Sequence, residues 1–294
     1  MIIISYEEVQ LDRCVVALGK FQGVHKGHML LIDKVVELSR QEGIPGVVFS
    51  IDFHNDLNIY ADDKRYELFS ELGVDIVVSC DFSPEFAALE PETFISDILF
   101  TRLHAKYIIV GEDFRFGRNR SGGVNELVKY EEKYDYSTIV YDKLCCNGTE
   151  ISSSYIRKLI ADSDFEQLKE FMGRDYSICG VVCEGKKLGR TIGFPTINIK
   201  YDGRQVLPGH GVYETRVVID DREYRGITNI GNNPTVDESG RVFIETHILD
   251  FNENIYGKYV TIVFKRFIRP EKKFKDVDEL KLQIKKDIIG IMHQ

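Results

Sequence analysis

Cys14-Val15-Val16-Ala17-Leu18-Gly19 runs straight into Lys20-Phe21-Gln22-Gly23-Val24-His25-Lys26-Gly27-His28, and this stretch decides the fold of the first half of the chain. An uninterrupted apolar run reads as a strand buried on both faces, the glycine-rich stretch as a turn, and the pattern from about Met29 to Glu42 as a helix. Working outward, the alternation repeats. VVFSI is followed by a helix from about Lys64 to Leu72, DIVVS by one near Glu92 to Leu103, and YIIVG by a shorter one near Val124 to Lys133 before STIVY closes the series. Strands of this kind separated by helices predict a parallel sheet covered on both faces, so the first domain is α/β.

The glycine-rich turn falls where such sheets bind ligands, beyond the carboxyl end of the first strand. Gly19, Gly23 and Gly27 let backbone approach a ligand, and the start of the following helix offers free N–H groups to phosphate. His25 and His28, three residues apart, can donate hydrogen bonds to the charge that develops on an α-phosphate under attack. The same pair also reads as a helix cap or as packing.

After Ser152 come two short helical patterns, SYIRKLIAD and FEQLKEFMG, the second closed by Gly173 as a C-cap. Beyond Tyr176 the pattern turns to strands: SICGVVCEG, GVYETRVVI, EYRGITNIG, VFIETHILD and YVTIVFKRF, which predict an antiparallel barrel or sandwich. A last helix from about Val277 to Ile289, with Leu280, Ile284 and Ile288 at four-residue steps, is expected to cover one barrel opening. A chain of 294 residues exceeds what one core serves, and two domains are expected, 1–172 including the connector helices and 173–294.

A formal charge of −9 with scattered Lys and Arg provides no stripe for a phosphate backbone, so nucleic acid is not expected as a partner. The start carries no signal-peptide pattern and no apolar run reaches the roughly 18 residues of a membrane span, which predicts a cytoplasmic protein. Six cysteines in such a compartment stay thiols. Cys179 and Cys183 share a strand face, but with no further ligand nearby packing is favoured over zinc.

A second glycine-rich segment, GKKLGRTIGFPTINI, carries Gly185, Gly189 and Gly193 with Lys186, Lys187 and Arg190 between them. Such a loop can wrap a triphosphate, and after Pro195 the Thr196 hydroxyl and Asn198 carbonyl are hard oxygen ligands suited to Mg²⁺. As a bare pattern it reads equally well as a structural turn.

The two segments also carry resemblances. His25-Lys26-Gly27-His28 resembles the HxGH signature of the nucleotidyltransferase superfamily, whose second motif, ISSTxIR, is filled by Ile151 to Arg157 with Ser154 in the place of Thr. VGEDFRFGRN, with Asp113, Phe114, Phe116 and Gly117, is similar to a stretch of the bacterial flavin-adenylylating branch. GRTIGFPTINI resembles the riboflavin kinase signature, and the likeness extends through LPGHGVY, NIGNNPT and ETHILDF. From about Val15 to Ile288 the chain resembles the bifunctional bacterial riboflavin kinase/FAD synthetase family.

The resemblance implies a Rossmann-like adenylyltransferase domain followed by a six-stranded flavokinase barrel with a terminal helix. It implies conversion of riboflavin to FMN and of FMN to FAD, with ATP as co-substrate, Mg²⁺ as cofactor and only small molecules as partners. Glu245 would be the kinase base, and His25 and His28 the catalytic pair of adenylyl transfer. Nucleotide would meet Gly19, Phe21, Gly23, Gly27, Ser153 and Arg157 in one domain, and Gly185, Lys187, Gly189, Arg190, Gly193 and Pro195 in the other. Flavin would meet Phe53, Asp113 and Phe116, and Mg²⁺ would meet Thr196 and Asn198. The chain departs from the family pattern at Lys20 and Gln22, where Asn and Asp are usual, and at Phe53-His54-Asn55, where two prolines are missing. Two narrower readings stay open: a riboflavin kinase with a non-catalytic first domain, and a flavin-binding regulatory protein.

Overall fold

A computed structural model describes residues 1–53, 57–185, 188–201, 203–232 and 242–292. The chain divides into two compact units, Met1–Leu57 with Asp62–Ser153, and Asn58–Ala61 with Ser154–Gln294.

The first unit is built on a six-stranded sheet of β1 (Ile2–Ser5), β2 (Cys14–Gly19), β3 (Gly46–Asp52), β4 (Ile76–Asp81), β5 (Ala105–Gly111) and β6 (Ser137–Tyr141). Its strands lie in the order β1-β4-β3-β2-β5-β6, and every neighbouring pair is parallel. Val15, Val16, Ala17 and Leu18 are all buried, as a strand covered on both faces requires. Strand β1 was not anticipated from the sequence: it is a short edge strand whose Ile2 and Ile3 stay exposed. Helix α1 (Lys26–Glu42) and helix α2 (Asp62–Glu71) match the expected periods. The helix expected near Glu92 to Leu103 is a short α-turn, Pro91–Thr93, that continues as a π-helix over Phe94–Arg102.

The second unit opens with helices α3 (Ser153–Ala161) and α4 (Phe165–Met172), which group with the barrel rather than with the α/β sheet. Gly173 ends α4 in the left-handed conformation, φ 73°, as its position predicts. The barrel is closed and antiparallel, from β7 (Ser177–Cys183), β8 (Thr196–Ile199), β9 (Gly211–Ile219), β10 (Arg222–Asn232), β11 (Val242–Ile248) and β12 (Tyr259–Arg269) in the order β7-β8-β11-β10-β9-β12. Strand β8 lies inside the second glycine-rich segment, so Thr196 and Asn198 stand on a strand, two apart and on one face.

Helix α5 (Val277–Met292) corrects one expectation. Its Ile288 and Ile291 pack with Val212 and Ile227. On β9 the buried Tyr213, Thr215 and Val217 alternate with Val212 and face inward, so α5 covers the outer wall of the barrel rather than an opening.

The second unit also takes in Asn58–Ala61, distant in sequence from the rest of it. Asn58 N–H donates to the Arg204 carbonyl at 2.7 Å, and Val206 N–H to the Asn58 carbonyl at 2.8 Å. The Ile59 carbonyl accepts from the Tyr176 hydroxyl and the Gln205 amide, each at 3.1 Å. Ile59 and Tyr60 are buried there, with the Tyr60 ring stacked on Tyr176 at 5.7 Å.

Candidate active sites

Strand β2 has β3 on one side and β5 on the other, so the sheet order reverses at β2. A ligand crevice opens at such a switch point, beyond the carboxyl ends of the strands, and the turn from Gly19 to His25 sits there. Phe21, Gln22, Val24 and His25 are buried, while Lys20 is exposed. Phe21 at φ 46° and Val24 at φ 43° occupy the left-handed region, at about 1–3 kcal/mol each, a cost typical of turns held for function.

The Phe21 ring is an anchor. It lies 6.1 Å from Phe69 and 5.1 Å from His28, and a Cβ on Gly19 would come within 3.1 Å of it. What this residue can offer a nucleotide is therefore its backbone. His25 caps α1: its Nδ1 accepts the His28 backbone N–H at 3.3 Å, which leaves the proton of the neutral ring on Nε2 as a donor. The two imidazoles stack, centroids 3.6 Å apart and planes 16° apart, and a Cβ on Gly27 would come within 3.3 Å of the His25 ring. Capping and ligand contact are compatible, because they use different nitrogens.

Ser153 opens α3 and closes the first unit, whereas Arg157, half-buried on the same helix, belongs to the second. Of the flavin candidates, Phe53 is partly buried, stacked on Phe82 at 4.2 Å, with the Lys20 ammonium 3.7 Å from its ring centroid. Asp113 is exposed and pairs with Lys143 at 3.4 Å. Phe116 is buried in the core against Phe94 and Phe114, so its ring serves packing. Gly23 lies buried in the turn; His54 and Asn55 lie outside the described residues.

In the barrel, register places Glu245 on β11 opposite Asn198 on β8 and opposite Asn229 on β10. Thr196 is paired with His247, whose Nδ1 donates to the Pro195 carbonyl at 2.8 Å and so ties the Gly-Phe-Pro-Thr turn to the wall. Close approach explains two of the glycines. A Cβ on Gly185 would lie 2.1 Å from Asn198 Nδ2, and one on Gly189 would lie 2.3 Å from the Phe194 carbonyl oxygen. Gly193 has φ 88°, which favours glycine. Lys187 lies outside the described residues.

Two cavities flank this wall. A cavity of about 440 Å³ is lined by Thr196, Asn198, Asn229, Glu245 and His247, with Phe243, Phe274, Leu280 and Ile284 as its apolar part. One of about 270 Å³ is lined by Arg190, Pro195, Thr196, Thr246, Ile248 and Tyr256. Alternate residues of β11 line the two, so they lie on opposite faces of the strand, and Thr196 borders both. Sequence reasoning missed Asn229, Arg269 and Asp287. Arg269 and Asp287 form an ion pair at 2.9 Å beside the larger cavity. An aspartate within the apolar stripe of α5 was the available signal, since a buried carboxylate requires a cationic partner.

The oxygens at Thr196 and Asn198, beside the Glu245 carboxylate, suit a hard divalent cation that keeps water and phosphate ligands. Among the described residues no cluster of three or more His, Cys, Asp or Glu could hold a metal without such help.

A glycine-rich turn at the switch point of an α/β sheet, followed by a closed barrel with a carboxylate set among amides, fits a nucleotidyltransferase-type domain joined to a phosphotransferase-type domain. Comparison with known proteins agrees: the FAD synthetase family model matches residues 7–155 and the riboflavin kinase model residues 172–293. The chain is 36% identical over 287 residues to the bifunctional riboflavin kinase/FMN adenylyltransferase of Escherichia coli K12, covering 94% of this chain and 91% of that protein. It is 35% identical to the Listeria monocytogenes protein of the same name, covering 93% and 90%. A solved structure titled as a macrolide-efflux protein from Streptococcus pneumoniae superposes with a TM-score of 0.87 at 29% identity, covering 98% of this chain and 97% of that one. Among the described residues no helix is long and apolar enough to cross a membrane. The chain belongs to the bifunctional riboflavin kinase/FMN adenylyltransferase family. Both enzymatic domains are present, and nothing in these matches supports the narrower readings, kinase alone or regulator.

Proposed function

We propose that the barrel phosphorylates riboflavin to FMN and that the α/β unit adenylylates FMN to FAD, ATP serving both. The observation that carries the kinase assignment is the pair of cavities meeting at Thr196, one holding the Glu245 carboxylate and an apolar wall, the other Arg190. The larger cavity suits a flat flavin ring with its ribityl chain toward Glu245. The smaller suits the nucleoside of ATP, so that the γ-phosphate meets the hydroxyl near Thr196. Glu245 takes the proton of the ribityl 5′-hydroxyl as that oxygen attacks phosphorus and ADP departs. Thr196 and Asn198 would hold Mg²⁺, which would supply charge neutralisation at the phosphates.

In the α/β unit the FMN phosphate oxygen attacks the α-phosphorus of ATP and pyrophosphate leaves. His25, through Nε2–H, and His28 stabilise the charge on the transferring group, with Gly19, Gly23 and Gly27 giving it room and Ser153 taking further phosphate oxygens. Phe53 and Asp113 take the flavin. The partners are small molecules rather than nucleic acid, and the setting is the cytoplasm.

Riboflavin incubated with MgATP and resolved by chromatography tests both steps. Wild type yields FMN and then FAD, Glu245→Gln given riboflavin forms FMN far more slowly, and His28→Ala stops at FMN. FAD formed by His28→Ala at the wild-type rate rejects the first site.

A further inference from the structure

Arg65 is among the largest fully buried side chains of the molecule, a guanidinium 1% exposed on α2, with no role in the sites above. Its Nη1 donates to Asp52 Oδ1 at 2.5 Å, at the last residue of β3, and its Nη2 to Asp62 Oδ1 at 2.8 Å. Nη1 also reaches the Lys20 backbone carbonyl at 3.5 Å, which accepts from the Ser50 hydroxyl at 3.4 Å. Burial pushes the Asp52 carboxyl above its ordinary range, against the opposing pull of Arg65. Sequestering a guanidinium is an inefficient way to stabilise a fold, since well-packed apolar residues do as well, so its geometry is the informative feature.

That geometry joins two loops. Lys20 follows β2 and precedes the left-handed Phe21, so its carbonyl is the last fixed point before the strained turn. Asp52 precedes Phe53, and the Lys20 ammonium lies over the Phe53 ring at 3.7 Å. Residue 20 is thus tied to the end of β3 twice, by its carbonyl through Arg65 and by its side chain to Phe53.

We propose that Arg65 is a positioning residue for adenylyl transfer. It locks the turn that carries ATP to the strand end that carries the flavin-side aromatic, so that the two phosphates meet in line. The proposal rests on the assignment of this reaction to the His25–His28 turn. A planar fork binding two carboxylates and a carbonyl at fixed angles is a task for arginine and not for lysine.

The test uses the full-length chain carrying Arg65→Lys, Arg65→Met, or Asp52→Asn with Arg65→Met. FAD formation from FMN and MgATP is resolved into kcat and KM, with FMN formation from riboflavin and the melting temperature measured on each protein. Arg65→Met should lose on the order of 100-fold in kcat for FAD, the scale of a small misplacement of reactants, with riboflavin phosphorylation retained. The double variant removes the buried charge as well as its partner. It should regain melting temperature but not kcat, and wild-type FAD formation by it would reduce Arg65 to a counter-ion of Asp52 and overturn the proposal. If neither Met variant folds, Arg65→Lys decides: an unchanged melting temperature with lowered kcat upholds it, and unchanged kcat overturns it. His28→Ala separates the premises. Wild-type FAD formation in His28→Ala rejects the site, whereas an inactive His28→Ala beside fully active Arg65 variants rejects only the role of Arg65.

Discussion

Asn198 on β8 and Glu245 on β11 stand directly opposite each other in the ladder, so an amide and a carboxylate face one cavity from neighbouring strands. Facing side chains at such a pair interact directly. Glu245→Gln keeps the shape and removes the base. Its kcat for riboflavin phosphorylation should fall by about 10²–10⁴ with little change in KM for riboflavin, while FAD formation from supplied FMN continues. Steady-state kinetics of both half-reactions on one preparation check this.

Gly189 allows the Phe194 carbonyl to approach within 2.3 Å of where a Cβ would stand. Backbone cannot yield as a side-chain tip can, so Gly189→Ala should distort the turn that carries Pro195 and Thr196. Kinase activity should drop at least tenfold, a loss of ~1.4 kcal/mol or more in transition-state binding, with FAD formation from FMN unaffected.

Asp287 holds Arg269 against the larger cavity, and Gln283 also donates to it at 2.8 Å. Asp287→Ala leaves the guanidinium, 18% exposed, beside an apolar wall without its carboxylate. A loss on the order of 3 kcal/mol in stability of the barrel is expected. Denaturant unfolding followed by near-ultraviolet circular dichroism measures it, and KM for riboflavin should rise as α5 loosens.

Cys14 is buried in β2, and burial pushes its thiol up to about 12 from an ordinary 9.0. Below pH 9.0 folded and unfolded chains both hold the proton and the contribution to stability is intact; from there it falls as pH rises toward about 12, because only the unfolded chain releases the proton. At about pH 8 iodoacetamide should modify exposed Cys145 while Cys14 stays unlabelled until unfolding, as peptide mass spectrometry would show.

Much of this was legible in the sequence, for identifiable reasons. Strand β2 and its turn are an apolar run broken by glycine, and five barrel strands announce themselves by alternation. Strand β8 did not, because Thr196–Ile199 is short and begins in a proline turn. Phe116 stands in a motif that places it near flavin, and only packing reveals that its ring lies against Phe94 and Phe114. Arg65 sits in Asp-Asp-Lys-Arg-Tyr-Glu, which reads as a solvated helix face. Nothing in that spacing says that one of its charges turns inward to Asp52.

The four residues Asn58–Ala61 carry a lesson for anyone wishing to dissect or shuffle this chain. A cut at the Ser153–Ser154 junction looks like clean surgery, but it would strip the kinase half of a piece encoded far upstream. Tyr176 and Gln205 would then be left reaching for a missing acceptor at Ile59. An autonomous kinase therefore needs that tetrapeptide grafted back, and a chimera joined at the same point inherits whichever upstream stretch its new neighbour happens to supply.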